Sequence, residues 1–264
     1  ATTVSAGVLA ITHADALGGT SGATTVASGA ALNISGGITT AAEGITISGT
    51  GVSNRGAIRS VSGNNTIAGQ ITIAAHTEIA SDSGTLTLNI SSGSSITASN
   101  KNVTFDGAGN ITVADPIATG SGTLTKTGGG TLTLSAANTY TGATTISAGT
   151  LAISNATALG TTDAATTVAN NSSLSISGGI TVAEAITIRG TGVSSGGAIA
   201  FTSGDNTYSG AITLAATSTI VSTGGAQTIS GTTNGGQALT ITANDNLIIS
   251  GVVGGSTPLT TYAV

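Results

Sequence analysis

Cysteine, methionine and tryptophan are absent from this chain of 264 residues, and charged residues make up only 6% of it. Without cysteine there are no disulfides and no thiol chemistry, which fits a secreted bacterial protein as well as a cytosolic one. Two Phe and three Tyr are too few to anchor a large globular core or to form aromatic platforms for bases or sugars. Five basic residues against ten acidic ones give a formal charge of −5, so we expect no nucleic-acid binding.

Long apolar runs are missing as well. None approaches the roughly 18–20 residues that a membrane span needs, so we expect no such span. The chain begins within a motif at Ala1–Val4, and we therefore expect it to be a processed or excerpted piece of something longer.

Small and β-branched residues dominate the composition. The chain has 41 Gly, is rich in Thr, Ser and Ala, and is 39% hydrophobic. Such a composition also suits a disordered chain, but the apolar residues alternate regularly with polar ones, as in half-buried strands. Segments bounded by Gly and Asn recur about every 10–13 residues, which predicts roughly ten to twelve turns of a solenoid. Such a rod would be roughly 50–60 Å long, and we expect no helix.

The clearest repeat unit lies at 122–154. Thr123–Thr125 and Thr131–Leu134 alternate with period two, so their leucines should face the core and their threonines water. Gly128–Gly130 between them supplies the backbone freedom for a tight reversal. A third strand follows a turn at Asn138–Gly142. A unit of about thirty residues cannot bury a face alone, so it must stack on copies of itself.

The same stretch resembles the autotransporter-associated β-strand repeat, found in the passenger regions of large bacterial surface proteins. The residues that carry the resemblance are Leu124, Lys126, Gly128, Gly130–Leu134, the Asn138–Gly142 turn and Thr144–Leu151. The resemblance implies an all-β, right-handed β-solenoid, or parallel β-helix, on a bacterial cell surface or in the extracellular space. It implies no catalytic residues.

The chain consists of two diverged repeats. The first β-solenoid repeat is predicted over 1–142 and a second, shorter one over 143–264. Residues 1–18 and 143–160 are identical at 13 of 18 positions, and weaker matches continue through both halves. We expect the two repeats to form one continuous rod of mostly parallel strands.

The two ends of the chain are also related in sequence. Thr261–Val264 matches the Thr139–Gly142 segment before the second repeat, so a following Ala1 would continue the pattern in register. Neither end carries a charged or amphipathic cap, so both should present open strand edges. We predict that copies of this chain join head to tail, covalently or by assembly. The low charge also favours lateral packing between rods. The candidate junction residues are Ala1, Thr2, Thr3, Val4, Leu259, Tyr262 and Val264.

Catalytic chemistry has little support. Gly192–Gly196 matches the G-x-S-x-G nucleophile elbow, but that chemistry needs a histidine base, and both His13 and His76 lie earlier in the chain. In a chain this rich in Ser and Gly, we interpret the motif as a turn. Acidic residues are scattered singly, whereas glycoside hydrolysis needs two carboxylates about 5–9.5 Å apart. Glu43 and Glu184 occupy equivalent turns, where we expect solvated side chains, and we therefore expect no enzyme.

Metal sites are weakly indicated. Asp106 and Asn110, and Asp245 at a matching place, lie in oxygen-rich turns and are calcium candidates. Neither turn has the spacing of an EF-hand or of a calcium β-roll, and Asx turns account for both. The two histidines, His13 and His76, are isolated and lack cysteine partners, so we expect no zinc site and no cofactor.

Threonine pairs offer an alternative function. Thr-x-Thr pairs occur at Thr85/Thr87, Thr123/Thr125, Thr131/Thr133 and Thr240/Thr242. Aligned on one flat face, such pairs would make a module that binds ice or a glycan, but they do not recur at one fixed period, and Thr suits any wet strand. We therefore predict a structural segment of a bacterial extracellular fibre or giant adhesin stalk that extends head to tail through its solenoid ends. The alternative is the binding module.

Overall fold

A computed structural model describes residues 1–255, 258–259 and 261–263, the last three through their backbone alone. The chain divides into two compact units, Ala1–Gly142 and Ala143–Val264, whose bounds coincide with those of the two repeats. Both units are all-β, and their parallel strands amount to about 11 turns of a β-solenoid. The described residues contain essentially no helix. The predicted fold class is confirmed.

Unit 1 is a coil of short strands joined by tight corners. Its strands are β1 (Thr2–Val4), β2 (Val8–Ile11), β3 (Thr24–Val26), β4 (Ala31–Ser35), β5 (Ile45–Gly49), β6 (Ile58–Ser62), β7 (Asn65–Ile67), β8 (Ile71–Ser81), β9 (Thr85–Leu88), β10 (Ile96–Ala98), β11 (Val103–Asp106), β12 (Asn110–Val113), β13 (Ile117–Ala118), β14 (Leu124–Lys126) and β15 (Thr131–Leu134). A 3₁₀ turn at Val52–Asn54 separates β5 from β6.

The strands of unit 1 pair in parallel along three faces. Face 1 consists of β1, β3, β5, the start of β8, β10 and β13. Face 2 consists of β2, β4, β6, the end of β8, β11 and β14. Face 3 consists of β7, β9, β12 and β15. Each strand thus finds its partner one turn away along the coil.

The core of unit 1 is made of side chains stacked in register. On face 2, Leu32, Ile58, Ile79 and Phe105 align from one turn to the next and are fully buried. The alternation of the strands places every second residue inward, so one apolar position per strand recurs on every turn. Burial of each such side chain contributes about 2 kcal/mol. Stacked columns of mostly aliphatic side chains, with Phe105 as an aromatic member, therefore form the core of this unit.

Unit 2 repeats this construction. Its strands are β16 (Thr144–Ile146), β17 (Gly149–Ile153), β18 (Thr166–Val168), β19 (Ser172–Ser177), β20 (Thr181–Val182), β21 (Ile186–Gly190), β22 (Ile199–Ser203), β23 (Thr207–Tyr208), β24 (Ile212–Ser222), β25 (Gln227–Ile229), β26 (Thr233–Asn234), β27 (Ala238–Ala243), β28 (Leu247–Ile249) and β29 (Thr261–Ala263). A 3₁₀ turn at Val193–Ser195 separates β21 from β22, as in unit 1.

The faces of unit 2 follow the same order. Face 1 contains β16, β18, β21, the start of β24 and β26. Face 2 contains β17, β19, β22, the end of β24, β27 and β29, and face 3 contains β20, β23, β25 and β28. Leu151, Leu174, Ile199 and Ile220 form the inward column of face 2 and are fully buried. The two units therefore share one arrangement of strands and faces.

The glycines at 128–130 form a corner between two faces. β14 pairs with β11 on face 2, whereas β15 pairs with β12 on face 3. The tight reversal predicted for this turn is wrong, because each strand takes its partner from the neighbouring turn and not from the adjacent strand of a hairpin. A Cβ built on Gly130 would lie 1.9 Å from the carbonyl oxygen of Gly109 in the turn below. Corners therefore stack too closely for a side chain at this position.

Connections outside the strands are short turns. The Ala-rich segments at 13–18 and 155–160 are hydrogen-bonded turns, in which the Ala16 N–H donates to His13 and the Ala158 N–H to Asn155. In the part of the chain that the structure describes, no helix has the length and apolar character to cross a membrane.

Candidate functional site

Strand β1 lies at an edge of face 1 in unit 1. Its pairing with β3 aligns Thr2 with Thr24. The Thr2 N–H donates to the carbonyl of Ala23, and the Val4 carbonyl accepts from the N–H of Ala27, both at 3.0 Å. These two residues flank β3 on either side. Because backbone groups alternate in direction along a strand, the N–H and C=O of Thr3 point away from β3. Thr3 thus presents a backbone donor and acceptor at the edge, while Val4 points into the core and is 7% exposed.

The other candidate junction residues lie in unit 2. Leu259 is half-buried. Tyr262 lies in β29, where its backbone pairs with Leu239 of β27. The side chain of Tyr262 and the whole of Val264 fall outside the described residues, and the head-to-tail junction stays a prediction.

Face 3 of unit 1 carries a column of threonines. Thr66, Thr87, Thr112 and Thr133 align in register on four successive turns, and each is partly exposed. Two of the four predicted Thr-x-Thr pairs, Thr85/Thr87 and Thr131/Thr133, contribute to this face. The two remaining pairs do not, because 123–125 reaches into β14 on face 2 and 240–242 lies in unit 2.

Asparagines complete the second column of this face. Asn64 and Asn110 occupy the places that Thr85 and Thr131 take on the alternate turns. The side-chain oxygen of each asparagine accepts the backbone N–H of the threonine one turn on, at 3.0 Å in both cases. The pattern of face 3 is therefore Asn-x-Thr alternating with Thr-x-Thr. Sequence reasoning missed it because it counted only threonine pairs.

The two repeated glutamates are buried, which contradicts the expectation of solvated turn residues. Glu43 is 1% exposed and Glu184 is 4% exposed. Each carboxylate accepts a hydrogen bond from a buried threonine of the preceding turn, Glu43 from Thr24 and Glu184 from Thr166, the latter at 2.5 Å. In both glutamates Oε2 is buried without a hydrogen-bond partner. Desolvation of the carboxyl raises the pKa of Glu184 to about 7, although the Thr166 hydrogen bond lowers it in part.

A second acid with a raised pKa lies on face 2 of unit 1. Glu78 is partly buried, and its pKa is raised to about 7 by desolvation and by the charge of Asp106. Asp106 in turn accepts a hydrogen bond from the Thr127 hydroxyl at 2.7 Å. The pair could not be found from spacing alone, because the two acids are more than twenty residues apart and meet only through turn stacking.

The G-x-S-x-G match is the 3₁₀ turn between β21 and β22. Ser194 is exposed and has φ 50°, and the corresponding turn in unit 1 places Ser53 at φ 55°. A nucleophile elbow joins a strand to a helix, whereas this turn joins two short strands. His76 accepts the backbone N–H of Asn102 at 2.9 Å, and His13 accepts that of Asp15 at 3.2 Å, both in unit 1.

The calcium candidates serve local hydrogen bonds. Asn110 accepts the Thr131 N–H, Asp106 accepts the Thr127 hydroxyl, and Asp245 lies exposed in the turn before β28. Among the described residues, no group of three or more His, Asp or Glu side chains is arranged to hold a metal ion.

Lys126, one of the residues that carry the family resemblance, points into the core. It aligns with Phe105 on face 2 and is 2% exposed. Its Nζ donates to the carbonyls of Thr127 and Gly128, the latter at 2.9 Å. Desolvation lowers the pKa of this ammonium group to about 8, and the nearby Asp106 charge opposes part of that shift. Strict alternation from Leu124 already predicts an inward position, so this signal was present in the sequence.

Comparisons with known proteins agree with this architecture. Residues 124–153 match the family model described as the passenger-associated-transport-repeat. Neither a curated protein nor a solved structure matches the chain at a significant level. The family suggests a secreted or surface protein. Together, the matched repeat and the stacked parallel turns fit an autotransporter passenger-like repeat protein.

Proposed function

We propose that the chain is a structural segment of a bacterial extracellular fibre or adhesin stalk that lengthens by stacking further turns. The observation that carries this proposal is the registered parallel ladder, which repeats with the same faces in both units. In such a ladder each new turn hydrogen-bonds to the edge of the previous one, so growth requires no new kind of contact. The passenger-like repeat supports a location at the surface.

The edge of β1 supports stacking between copies of the chain. Thr3 directs its N–H and C=O away from β3, as argued above, and open strand edges pair readily with other strands. The first turns of the two units also share their sequence, with Thr2–Val4 and Thr144–Ile146 both beginning face 1. A further copy of the chain is therefore the partner that this edge fits. With 6% charged residues, the sides of the segment offer little repulsion to lateral packing.

The stacking proposal can be tested at Thr3. The substitution Thr3→Pro removes an N–H that points away from β3 and leaves the hydrogen bonds of Thr2 and Val4 in place. Thr3→Ala is the matched control, because it shortens the side chain and keeps the N–H. Both variants should retain the wild-type far-UV circular dichroism spectrum.

Fibre formation, followed by light scattering and electron microscopy, is the readout. We expect wild type and Thr3→Ala to assemble and Thr3→Pro to remain in short species. Equal assembly of all three proteins, or no assembly of the wild type, would reject stacking at this edge.

The threonine face of unit 1 favours a second function, the binding of ice. Thr66, Thr87, Thr112 and Thr133 repeat at the turn spacing of about 4.8 Å, which gives a regular polar array. The test is thermal hysteresis of the wild type and of Thr112→Tyr, with Thr104→Tyr on face 2 as the control. Face 1 is unsuitable for the control because Thr3, Thr25, Thr46, Thr72 and Thr97 align there in register. Hysteresis lost only in the face 3 variant would support this function, and its absence from the wild type would exclude it.

A further inference from the structure

A groove on the outer side of unit 1 concentrates charge in a chain that has little. It has a volume of about 300 Å³ and is lined by Arg55, Ala80, Asp82, Asp106, Gly107 and Ala108. Arg55 comes from the 3₁₀ excursion before β6, and the other residues come from the ends of β8 and β11 and the corners that follow. Three separate turns thus build one site.

Ion pairs and hydrogen bonds orient the charged side chains of the groove. Arg59 forms a two-point ion pair with Asp82, through Nε to Oδ1 at 3.1 Å and through Nη2 to Oδ2. Arg55 reaches the same carboxylate only at 3.5 Å, and its side chain is 58% exposed. Asp106, which lies one turn beyond Ala80 along the coil, accepts a hydrogen bond from the Thr127 hydroxyl. Arg55 therefore supplies guanidinium N–H donors to the groove, while Asp106 supplies carboxylate acceptors.

The site is elongated along the coil. Asn33, Arg59, Ala80 and Asp106 align in register on four successive turns, a span of about 14 Å at the usual strand spacing. A second hollow of about 180 Å³ lies on the other side of Arg55 and includes Asn33 and Arg59 in its lining. The side-chain oxygen of Asn33 is buried there without a hydrogen-bond partner. Polar groups thus line both sides of Arg55.

Unit 2 forms the same turns without these charges. Its face 2 aligns Ala200, Val221 and Thr242 in the register that Arg59, Ala80 and Asp106 have in unit 1. The positions equivalent to the charged residues of the groove are Gly196 for Arg55, Ala200 for Arg59, Thr223 for Asp82 and Thr242 for Asp106. The excursion keeps its geometry, with Gly51 at φ 76° in unit 1 and Gly192 at φ 80° in unit 2.

We infer that this groove binds a neutral saccharide chain. The groove is lined by Arg55, Asp82 and Asp106, and Arg59 beside it neutralises Asp82. The remaining charges, Arg55 and Asp106, are opposite and equal, so the groove favours a ligand without net charge. Hydroxyl groups both donate and accept, and can therefore satisfy the Arg55 guanidinium and the Asp106 carboxylate together. An acidic saccharide would meet Asp82 and Asp106 on a chain of net charge −5, and a cationic peptide would meet Arg55. This binding site is independent of the stacking proposed above.

The first experiment screens the intact chain on an array of neutral and acidic oligosaccharides. The best neutral oligosaccharide is then titrated by calorimetry against the wild type and the double variant Arg55→Gly/Asp106→Thr. These substitutions place unit 2 residues at equivalent positions, so the variant should keep the wild-type circular dichroism and melting temperature. Losing two charge-assisted contacts should weaken binding at least tenfold. No binding to any neutral oligosaccharide, binding to acidic ones alone, or unchanged affinity of the folded variant would overturn the assignment.

The reverse substitutions give an independent test. Gly196→Arg, Ala200→Arg, Thr223→Asp and Thr242→Asp together transfer the groove to unit 2. The titration should then show two sites per chain where the wild type shows one. A folded variant that still binds one oligosaccharide would mean that these four residues do not make the site, and would overturn the inference.

Discussion

Removing the ionisable group of Glu184 should abolish part of the pH dependence of stability. The Glu184 carboxyl is 4% exposed, its Oε2 has no hydrogen-bond partner, and desolvation raises its pKa to about 7 from the ordinary value of 4.5. Because the folded pKa lies above the unfolded one, the folded chain resists ionisation of this group. Its contribution to stability is therefore fully present below pH about 4.5 and is lost as the pH rises through about 7.

The size of the loss in unfolding free energy follows from the pKa shift of Glu184. One pKa unit corresponds to about 1.4 kcal/mol, so the 4.5-to-7 shift should reduce the free energy of unfolding by about 3 kcal/mol at pH 8 relative to pH 4. The substitution Glu184→Gln keeps the shape and an oxygen acceptor for the Thr166 hydroxyl, and it cannot ionise. The variant should therefore gain stability relative to the wild type between pH 4 and pH 8 by about this amount.

The assay is equilibrium urea unfolding of the full chain at pH 4, 6 and 8. Asp163→Asn is the control, since Asp163 is an exposed acid in the same unit and its loss should change stability by less than about 0.5 kcal/mol at every pH. A stability difference between Glu184→Gln and wild type that stays constant from pH 4 to pH 8 would refute the reasoning. It would mean that the carboxyl is hydrated in the folded chain.

Two further predictions concern corners and core. Gly130→Ala should destabilise the chain by several kcal/mol or prevent folding, because the new Cβ would lie 1.9 Å from the carbonyl oxygen of Gly109. Gly129→Ala is the control: its Cβ would enter open space, so its melting temperature should equal that of the wild type. Leu132→Ala, at a fully buried column position, should lower the free energy of unfolding by about 3 kcal/mol, and Thr133→Ala on the outer side by less than about 1 kcal/mol in urea titrations. Equal effects within either pair would contradict the turn stacking described above.

The solenoid was predictable because its signal is local. The alternation in Thr131–Leu134 places Leu132 and Leu134 inward, and the structure buries both. Once strands are too short to close a core within one repeat, stacking of turns is the remaining way to bury the apolar face. The number of turns followed from the spacing of the glycine-bounded strands, and the structure has about 11.

The glutamates were mispredicted because burial at a corner depends on the neighbouring turn. Glu43 and Glu184 each precede a face 1 strand, where polar residues usually face water, but a threonine of the preceding turn draws the carboxyl inward. Thr24 and Thr166 occupy inward positions, and this was the available signal: a buried hydroxyl needs a partner.

The charged groove was missed for a related reason. Arg55, Asp82 and Asp106 are separated by about one turn each, and the length of a turn varies because of the excursion between β5 and β6. Register between turns therefore could not be assigned from sequence with the accuracy that a three-residue site requires. A comparison of the two repeats could have identified the charged groove, since unit 2 has uncharged residues at the positions equivalent to Arg55, Asp82 and Asp106.

Electron microscopy of the native material, with averaging along any fibre, tests the stacking account most directly. If copies of the chain stack end to end, the fibres should show density that repeats at about 4.8 Å along the axis, with one chain in each longer axial period. Discrete particles of single chains that do not elongate at any concentration would contradict it.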